Sequence, residues 1–222
     1  MHIGSTIDYL RTIHDLLEQG TPVGNAAIAR ALNVRPASVT GMMNRLVRDG
    51  LISRKEDRRL RLTAKGRRMA QVSIRRHRLI ETWLTRALDM DWATAHEEAH
   101  RIEHAVSPSL EAAIAKHLGY PSHDPHGAPI PDAAGRVTEE EATPLESLED
   151  GEDGTVVRLS DRHAEKLAYW SSLGLTLGAS VRRTGAAQFG GPVKLAVQGR
   201  TVLVGEEALH GVWVRRGEDA HG

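Results

Sequence analysis

The segment between residues 24 and 48 constrains the fold more than any other part of the chain. Apolar residues recur at helical spacing over 24–32 and again from Pro36 to about Arg48. Only the tight turn Asn33-Val34-Arg35 separates these two helices, and proline is favoured at the first position of a helix because its missing N–H would have no partner there. Two short helices joined by so tight a turn are typical of a helix-turn-helix.

The flanking segments extend this unit on both sides. An amphipathic helix is predicted over 6–19, and Asp49-Gly50 ends the third helix. Residues 51–54 and 60–62 then alternate as strands do, with a charged turn between them, which predicts a β-hairpin. Three helices followed by a basic hairpin predict a winged helix-turn-helix.

The charge distribution agrees with this interpretation, although the formal net charge of the whole chain is zero. Residues 1–68 contain thirteen Arg and Lys but six Asp and Glu, an excess of seven positive charges. The compensating acid lies in Glu139–Glu141 and Glu146–Asp153. Such asymmetry predicts that the amino-terminal part binds a polyanion.

The third helix is the expected reading element, because a helix fits the major groove and its early residues meet base edges. Basic residues at its end and in the hairpin are expected to contact phosphates, which position the protein. A small helical domain with a solvated basic surface is the alternative. The predicted base-facing residues are Arg35, Ala37, Ser38, Thr40, Gly41 and Asn44, and the predicted phosphate contacts are Arg45, Arg48, Arg54, Lys55, Arg58 and Arg59.

Beyond the hairpin the chain is first helical and then β-rich. Helices are predicted over 64–89, 92–106 and 109–118, and residues 119–153 are rich in Pro, Gly, Asp and Glu with little periodicity. Short alternating strands follow from Gly154, with one inserted helix, which predicts a small SH3-like β-barrel. The predicted fold class is therefore mainly α with a small β domain. The predicted domains are a winged helix-turn-helix (1–72), a helical dimerisation and metal-binding domain (73–138), an acidic linker (139–153) and the SH3-like domain (154–217).

Histidine is the most informative part of the composition, with twelve His and no Cys in the chain. Helix positions three and four apart share a face, so antiparallel packing of the two long helices would gather their His and Glu side chains. Imidazole with carboxylate suits first-row divalent metals, and no thiolate competes. The predicted ligands on these helices are His77, Glu81, His96, His100, Glu103 and His104.

One part of this cluster also matches a catalytic motif. Residues 96–100 read HEEAH, in which His96 and His100 would bind zinc and Glu97 would act as the general base of a metallopeptidase. The segment that follows lacks the Gly and third His of the extended motif. We therefore expect no enzyme, and keep the zinc metallopeptidase and a metal-independent winged-helix regulator as alternatives.

The location is predicted from what the sequence lacks. No run of about 18 apolar residues is available to span a membrane, and the amino terminus does not resemble a secretory signal. The absence of Cys excludes disulfides and fits a reducing compartment. We expect a cytoplasmic protein with no membrane partner.

Taken together, these residues resemble the iron- and manganese-dependent repressors, the DtxR/MntR family. The resemblance is carried by Asp8–Ile13 (DYLRTI), Arg76–Glu81 (RHRLIE), His96–Ser107 (HEEAHRIEHAVS) and Asp124–Pro131 (DPHGAPIP), and it covers nearly the whole chain. The carboxy-terminal domain is similar to the FeoA-type, SH3-like domain of three-domain members.

The resemblance implies a homodimer that binds double-stranded DNA at a palindromic operator and carries two metal sites per subunit. One site would use Asp8, His100, Glu103 and His104, and the other would use His77, Glu81 and His96. In three-domain members the carboxy-terminal domain adds a ligand, for which His163 or Glu165 is the candidate here.

The resemblance also bears on the metal. Iron-type members carry Met and Cys at the positions of Asp8 and His100, whereas manganese-type members carry Asp and Glu. Asp8 is a hard oxygen ligand that favours Mn²⁺, while the imidazole of His100 favours Fe²⁺, Co²⁺ or Zn²⁺. Mn²⁺ is the expected cofactor, Fe²⁺ is the alternative, and Zn²⁺ or Co²⁺ is expected to substitute.

Overall fold

The structure is a computed structural model. It describes residues 6–18, 23–54, 60–138, 141–160, 164–186 and 191–217. The chain divides into two compact units. The first comprises residues 1–88, 98–122 and 130–138, and the second comprises residues 89–97, 123–129 and 139–222.

The elements of the amino-terminal half follow the predicted order. Most boundaries agree with the sequence prediction to within two residues, but the fifth helix ends four residues before the predicted 106 because the chain turns at 103–105. The elements are α1 (Thr6–Glu18), α2 (Asn25–Ala31), α3 (Pro36–Arg48), β1 (Ile52–Arg54), β2 (Leu60–Leu62), α4 (Ala64–Leu88), α5 (Trp92–Ile102) and α6 (Pro108–His117).

The elements from α1 to β2 form a winged helix-turn-helix, called the head below. Its core is a single apolar cluster in which Leu10 and Ile13 of α1, Ile28 of α2 and Leu46 of α3 are fully buried. The strands β1 and β2 pair antiparallel, with Ile52 opposite Leu62. Because α1 also packs along α4, the head continues directly into the long helix.

The second unit is built on one antiparallel sheet of six strands. Its strand order is β3-β8-β4-β5-β6-β7. Burial alternates along the strands as the sequence predicted, with Val193, Leu195 and Val197 buried and Lys194 exposed. The elements are β3 (Thr143–Pro144), β4 (Asp153–Leu159), α7 (Ala164–Ser172), β5 (Ser180–Ala186), β6 (Val193–Val197), β7 (Arg200–Val204), α8 (Glu206–Leu209) and β8 (Val212–Arg216).

The interval predicted as an acidic linker contributes to the core of this unit. Leu145 and Leu148, which lie in and beside a short 3-10 turn, are buried with Trp170 and the inner strand residues. The indole N–H of Trp170 donates to the carbonyl oxygen of Ala208 at 2.6 Å. Two isolated leucines among acidic residues are too few to produce a periodic pattern, so their burial was not visible in the sequence.

Among the residues that the structure describes, no helix combines the length and the apolar character needed to cross a bilayer.

Gly66 provides a test of how the head joins α4. A methyl group at Gly66 would collide with the backbone carbonyl of Leu51, whereas one at Gly41 in α3 would meet nothing within 4 Å. We expect Gly66→Ala to destabilise the protein by about 2 kcal/mol. The matched Gly41→Ala should stabilise it by up to about 1 kcal/mol, because alanine is the better helix former. Urea unfolding measures both, and equal stability of the two variants would contradict this packing.

Candidate metal centre

Glu103 is the centre of the polar cluster in the first unit. Its side chain is 3% exposed and lies just after the end of α5. The Arg11 guanidinium donates to Glu103 Oε2 at 2.9 Å, and His77 Nδ1 lies 2.9 Å from the same oxygen. His100 Nδ1 lies 3.1 Å from Glu103 Oε1. One buried carboxylate therefore contacts residues of α1, α4 and α5.

The electrostatics of this cluster keep Glu103 charged and His77 neutral. Burial raises the pKa of Glu103. Hydrogen bonds from His100 and His77 and the charge of Arg11 lower this pKa by a larger amount, so it lies well below its usual range. Burial lowers the pKa of His77, as does the positive charge of Arg11. An ionised carboxylate and a neutral imidazole are the protonation states in which these groups ligate metals.

A second group of donors joins the head to the end of α5. His104 Nε2 lies 3.3 Å from Asp8 Oδ1 and 3.7 Å from Glu103 Oε1. Ligands about 2.1 Å from one ion are separated from each other by about 3–4 Å, so these distances fit a shared cation. Asp8 is in the first turn of α1, so the head contributes one of these three donors.

The four residues predicted for the first site therefore fall into two groups of donors that overlap at Glu103. Asp8, Glu103 and His104 offer donor atoms within 4.8 Å of one another, and so do His77, His100 and Glu103. Glu103 belongs to both groups. Oxygen and imidazole donors in this arrangement fit a first-row divalent cation, with no soft sulfur ligand among the described residues of either group.

The exposure of these donors differs along the cluster. The side chains of His100 and His104 are 66% and 50% exposed, whereas His77 and Glu103 are buried. An ion could therefore reach the exposed imidazoles from solvent and meet the buried carboxylate behind them. A metal site needs such an entry path.

The residues predicted for the second site are divided between the two units. His77 and Glu81 lie on one face of α4, with His77 Nε2 3.9 Å from Glu81 Oε2, and both are buried. His96 and Glu165 belong to the second unit, and His163 lies outside the described residues. The assignment of these three to the metal site stays a prediction.

Sequence reasoning missed Arg11 and the contact between His77 and Glu103. Arg11 follows Asp8 by three residues on α1, and this spacing places both side chains on one helix face. That spacing was the available clue. The prediction assigned His77 and Glu103 to different metal sites. The short distance between them depends on how α4 and α5 pack against each other, and residue spacing within either helix does not determine that packing.

The predicted DNA-reading surface is exposed along α3. Thr40 Oγ1 accepts a hydrogen bond from Asn25 Nδ2 at 3.0 Å, which ties α2 to α3. Arg45 and Arg48 in the last turn both lie 3.6 Å from the Asp49 carboxylate. The exposed positions are Arg35, Ala37, Ser38, Thr40, Gly41, Asn44, Arg45 and Arg48.

The remaining predicted phosphate contacts belong to the wing. Arg54 is the last residue of β1, and its side chain lies outside the described part of the chain. Lys55, Arg58 and Arg59 also lie outside it. These four assignments stay predictions.

Three family descriptions match successive parts of the sequence. The iron-dependent repressor amino-terminal DNA-binding domain matches residues 2–60, and the iron-dependent repressor metal-binding and dimerisation domain matches residues 63–132. A FeoA domain matches residues 143–216. The order of the three matches is the predicted order of a reading head, a helical domain and a small β domain.

Individual relatives agree with these matches. Over 129 residues the chain is 40% identical to the iron-dependent repressor IdeR of Mycobacterium tuberculosis and 39% identical to the diphtheria toxin repressor of Corynebacterium diphtheriae. Each alignment covers 58% of this chain, and they cover 56% and 57% of the relatives. The chain thus spans little more than half the length of the curated relatives it matches.

Solved structures match over a greater length. A manganese-dependent transcriptional repressor in complex with manganese is 36% identical, with a TM-score of 0.84, over 96% of this chain and 100% of that one. IdeR of T. acidophilum is 26% identical, with a TM-score of 0.85, over 98% of this chain and 100% of that one. The chain belongs to the family of iron-dependent repressors and their manganese-dependent relatives.

Family membership confirms the predicted fold class and decides between the predicted classes of protein. The family consists of metal-dependent transcriptional repressors and not of enzymes, so the zinc metallopeptidase alternative has no support.

The Arg11–Glu103 pair provides a test of the cluster in metal-free protein. Arg11→Met leaves a buried carboxylate with less compensation, so we expect the free energy of unfolding in chelator to fall by about 2 kcal/mol. Mn²⁺ should reduce this loss because it supplies positive charge to Glu103. The control is Arg101→Met, whose side chain pairs with Glu98 at the surface and should matter little. Equal unfolding curves for the two variants would show that Arg11 does not compensate Glu103.

Proposed function

We propose that this protein is a metal-activated repressor that binds palindromic operator DNA as a homodimer in the cytoplasm. The observation that carries the proposal is the approach of Asp8, on the first helix of the head, to His104 and Glu103 at the end of α5. A ligand set drawn from both elements makes the position of the head depend on occupancy of the site.

Because α1 is rigid and packs in the core of the head, the position of the reading helix would also depend on occupancy of the metal site. Asp8 is followed at once by the buried Tyr9 and Leu10, and Leu10 packs in the same cluster as Val39 of α3. Because a packed core moves as a body, holding Asp8 holds α3. A bound divalent ion would supply the positive charge that lets Asp8, Glu103 and His104 share one centre.

In a dimer the two reading helices must match the spacing of two half-sites. Without a bound ion, only the packing of α1 on α4 and the Arg11–Glu103 pair hold each head, so it is expected to sample more positions and fewer molecules present the correct spacing. With it, the population moves towards the DNA-competent form, because that form binds metal more tightly. Thermodynamic linkage then requires DNA to tighten metal binding by the same factor.

The remaining assignments complete the proposed repressor. A second metal site would use His77, Glu81 and His96, with His163 or Glu165 as a further ligand, which is supported by helical spacing and by the family resemblance. Residues 1–72 would read DNA, 73–138 would form the dimer, and 154–217 would form the FeoA-type domain, to which the predicted linker 139–153 adds β3 and two buried leucines. We propose repression of metal-homeostasis genes when metal is plentiful.

Mn²⁺ is the proposed activating metal, with Fe²⁺ as the alternative and with Zn²⁺ and Co²⁺ able to substitute. The hard carboxylate of Asp8 supports Mn²⁺, and a manganese-bound repressor is among the similar solved structures. His100 stands where manganese-type members carry Glu and iron-type members carry Cys. This position should therefore set metal preference.

Asp8→Ala tests the proposed link between the head and the metal centre. Operator binding would be measured by fluorescence anisotropy on a duplex selected from a random pool with Mn²⁺, in chelator and after Mn²⁺ is restored. The variant should lose metal-dependent binding and remain a dimer, because Asp8 is the ligand contributed by the head. Glu18→Ala, an exposed acidic position on the same helix, should respond to Mn²⁺ as the unmodified protein does. A normal response in the Asp8 variant would refute the proposed bridge.

Substitution of His100 tests the proposed basis of metal choice. His100→Glu replaces imidazole with a hard oxygen donor, so Mn²⁺ should activate DNA binding at a lower concentration relative to Zn²⁺ and Co²⁺. His100→Cys should change the order in the opposite direction. Titration of each metal against operator binding gives the order, and an identical order in all three proteins would exclude His100 as a determinant.

A further inference from the structure

A basic cleft lies in the first unit, outside the metal centre. It has a volume of about 500 Å³ and is called the arginine cleft below. It is formed by the first turn of α4 and by a turn that follows α6 in the chain. Its lining residues are Ala64, Arg67, Arg68, Ala134, Gly135 and Arg136.

The turn at 132–136 is closely packed and is held against α4. Asp132 Oδ1 accepts hydrogen bonds from the backbone N–H groups of Ala134 and Arg136 at 2.8 and 2.9 Å. Gly135 has φ +72°, and a Cβ there would lie 3.0 Å from the carbonyl oxygen of Arg68. This close approach fixes Arg68 and Arg136 as neighbours in the cleft.

The positive charge of the arginine cleft exceeds its negative charge. Asp132 Oδ2 accepts from Arg136 Nε at 2.7 Å, which neutralises one charge and leaves the Nη groups of Arg136 without a described partner. Within the described residues, neither Arg67 nor Arg68 forms an ion pair, and both are exposed. Several guanidinium groups around one cleft are suited to a phosphate, because the planar fork matches its oxygens.

The first turn of α4, which forms one wall of the cleft, also contacts the residues that follow the reading helix. Lys65 Nζ lies 3.5 Å from the carbonyl oxygen of Asp49, the residue that follows α3. Gly66 packs directly on Leu51, and Thr63 Oγ1 donates to the carbonyl of Gly50 at 2.8 Å. Lys65 and the cleft residues Arg67 and Arg68 therefore belong to the same short stretch of α4 that packs against the end of α3.

We propose that the arginine cleft binds a backbone phosphate of the DNA held by the reading helix. The proximity of the first turn of α4 to the end of α3 favours a DNA phosphate over a free anion, and the proposal rests on the DNA-binding function proposed above. Such a contact carries no base information, so it should strengthen binding to any sequence and add to the salt dependence of affinity.

The test compares two triple variants of equal charge. Arg67→Gln/Arg68→Gln/Arg136→Gln removes the cleft arginines, and Arg86→Gln/Arg200→Gln/Arg215→Gln removes three exposed arginines elsewhere. Binding of the Mn²⁺-loaded full chain to a mixed-sequence duplex would be measured across a series of salt concentrations. The cleft variant should bind about tenfold more weakly. The slope of log affinity against log salt should fall by about one unit in magnitude, the value for one lost phosphate contact.

The control variant should keep the slope of the unmodified protein. An unchanged slope in the cleft variant would overturn the cleft proposal while leaving the proposed function in place. Failure of the unmodified protein to bind the duplex with Mn²⁺ would overturn both.

Calorimetry with inorganic phosphate at constant ionic strength separates the two sources of the anion. Phosphate binding to the DNA-free protein that is lost in the cleft variant, together with an unchanged DNA salt slope, would identify a small-anion site and overturn the DNA assignment.

Discussion

The buried carboxylate of Glu103 is the interaction on which the rest of this structure depends. A charge removed from water is costly unless it is paired, and here Arg11, His77 and His100 provide the compensation. These partners come from three helices, so satisfying one charge determines how the helices meet. The same carboxylate lies beside Asp8 and His104, which makes it available to a cation at the junction with the head.

This arrangement explains how a small ion could control a large reading surface. The head is a rigid body because its apolar residues form one buried cluster, and α1 belongs to both that cluster and the metal centre. A bound ion would replace the hydrogen bonds between Glu103 and the histidines with coordination bonds from the same side chains. The free energy of metal binding would therefore act on a few donor atoms. Because the core of the head is packed, a shift of α1 would move α3 with it.

Much of the fold was predictable because its elements obey simple periodicities. Apolar spacing, together with Pro36 at the start and Asp49-Gly50 at the end of the third helix, predicted the three helices and the hairpin of the head. The exposed residues of α3 followed from the same spacing. Helical spacing predicted the candidate ligand residues. It did not predict their hydrogen-bond partners, since the contact of Arg11 and His77 with Glu103 depends on packing between helices. The burial of Leu145 was equally invisible, because a short 3-10 turn has no long pattern.

The most direct test of the central claim measures metal binding, not DNA binding. Mn²⁺ affinity would be determined by calorimetry for the free protein and for the protein saturated with a selected operator duplex. If Asp8 and Glu103 couple the head to the metal centre, the duplex must raise Mn²⁺ affinity by the factor by which Mn²⁺ raises operator affinity. Equal Mn²⁺ affinity with and without the duplex would mean that the cluster binds metal without controlling the head.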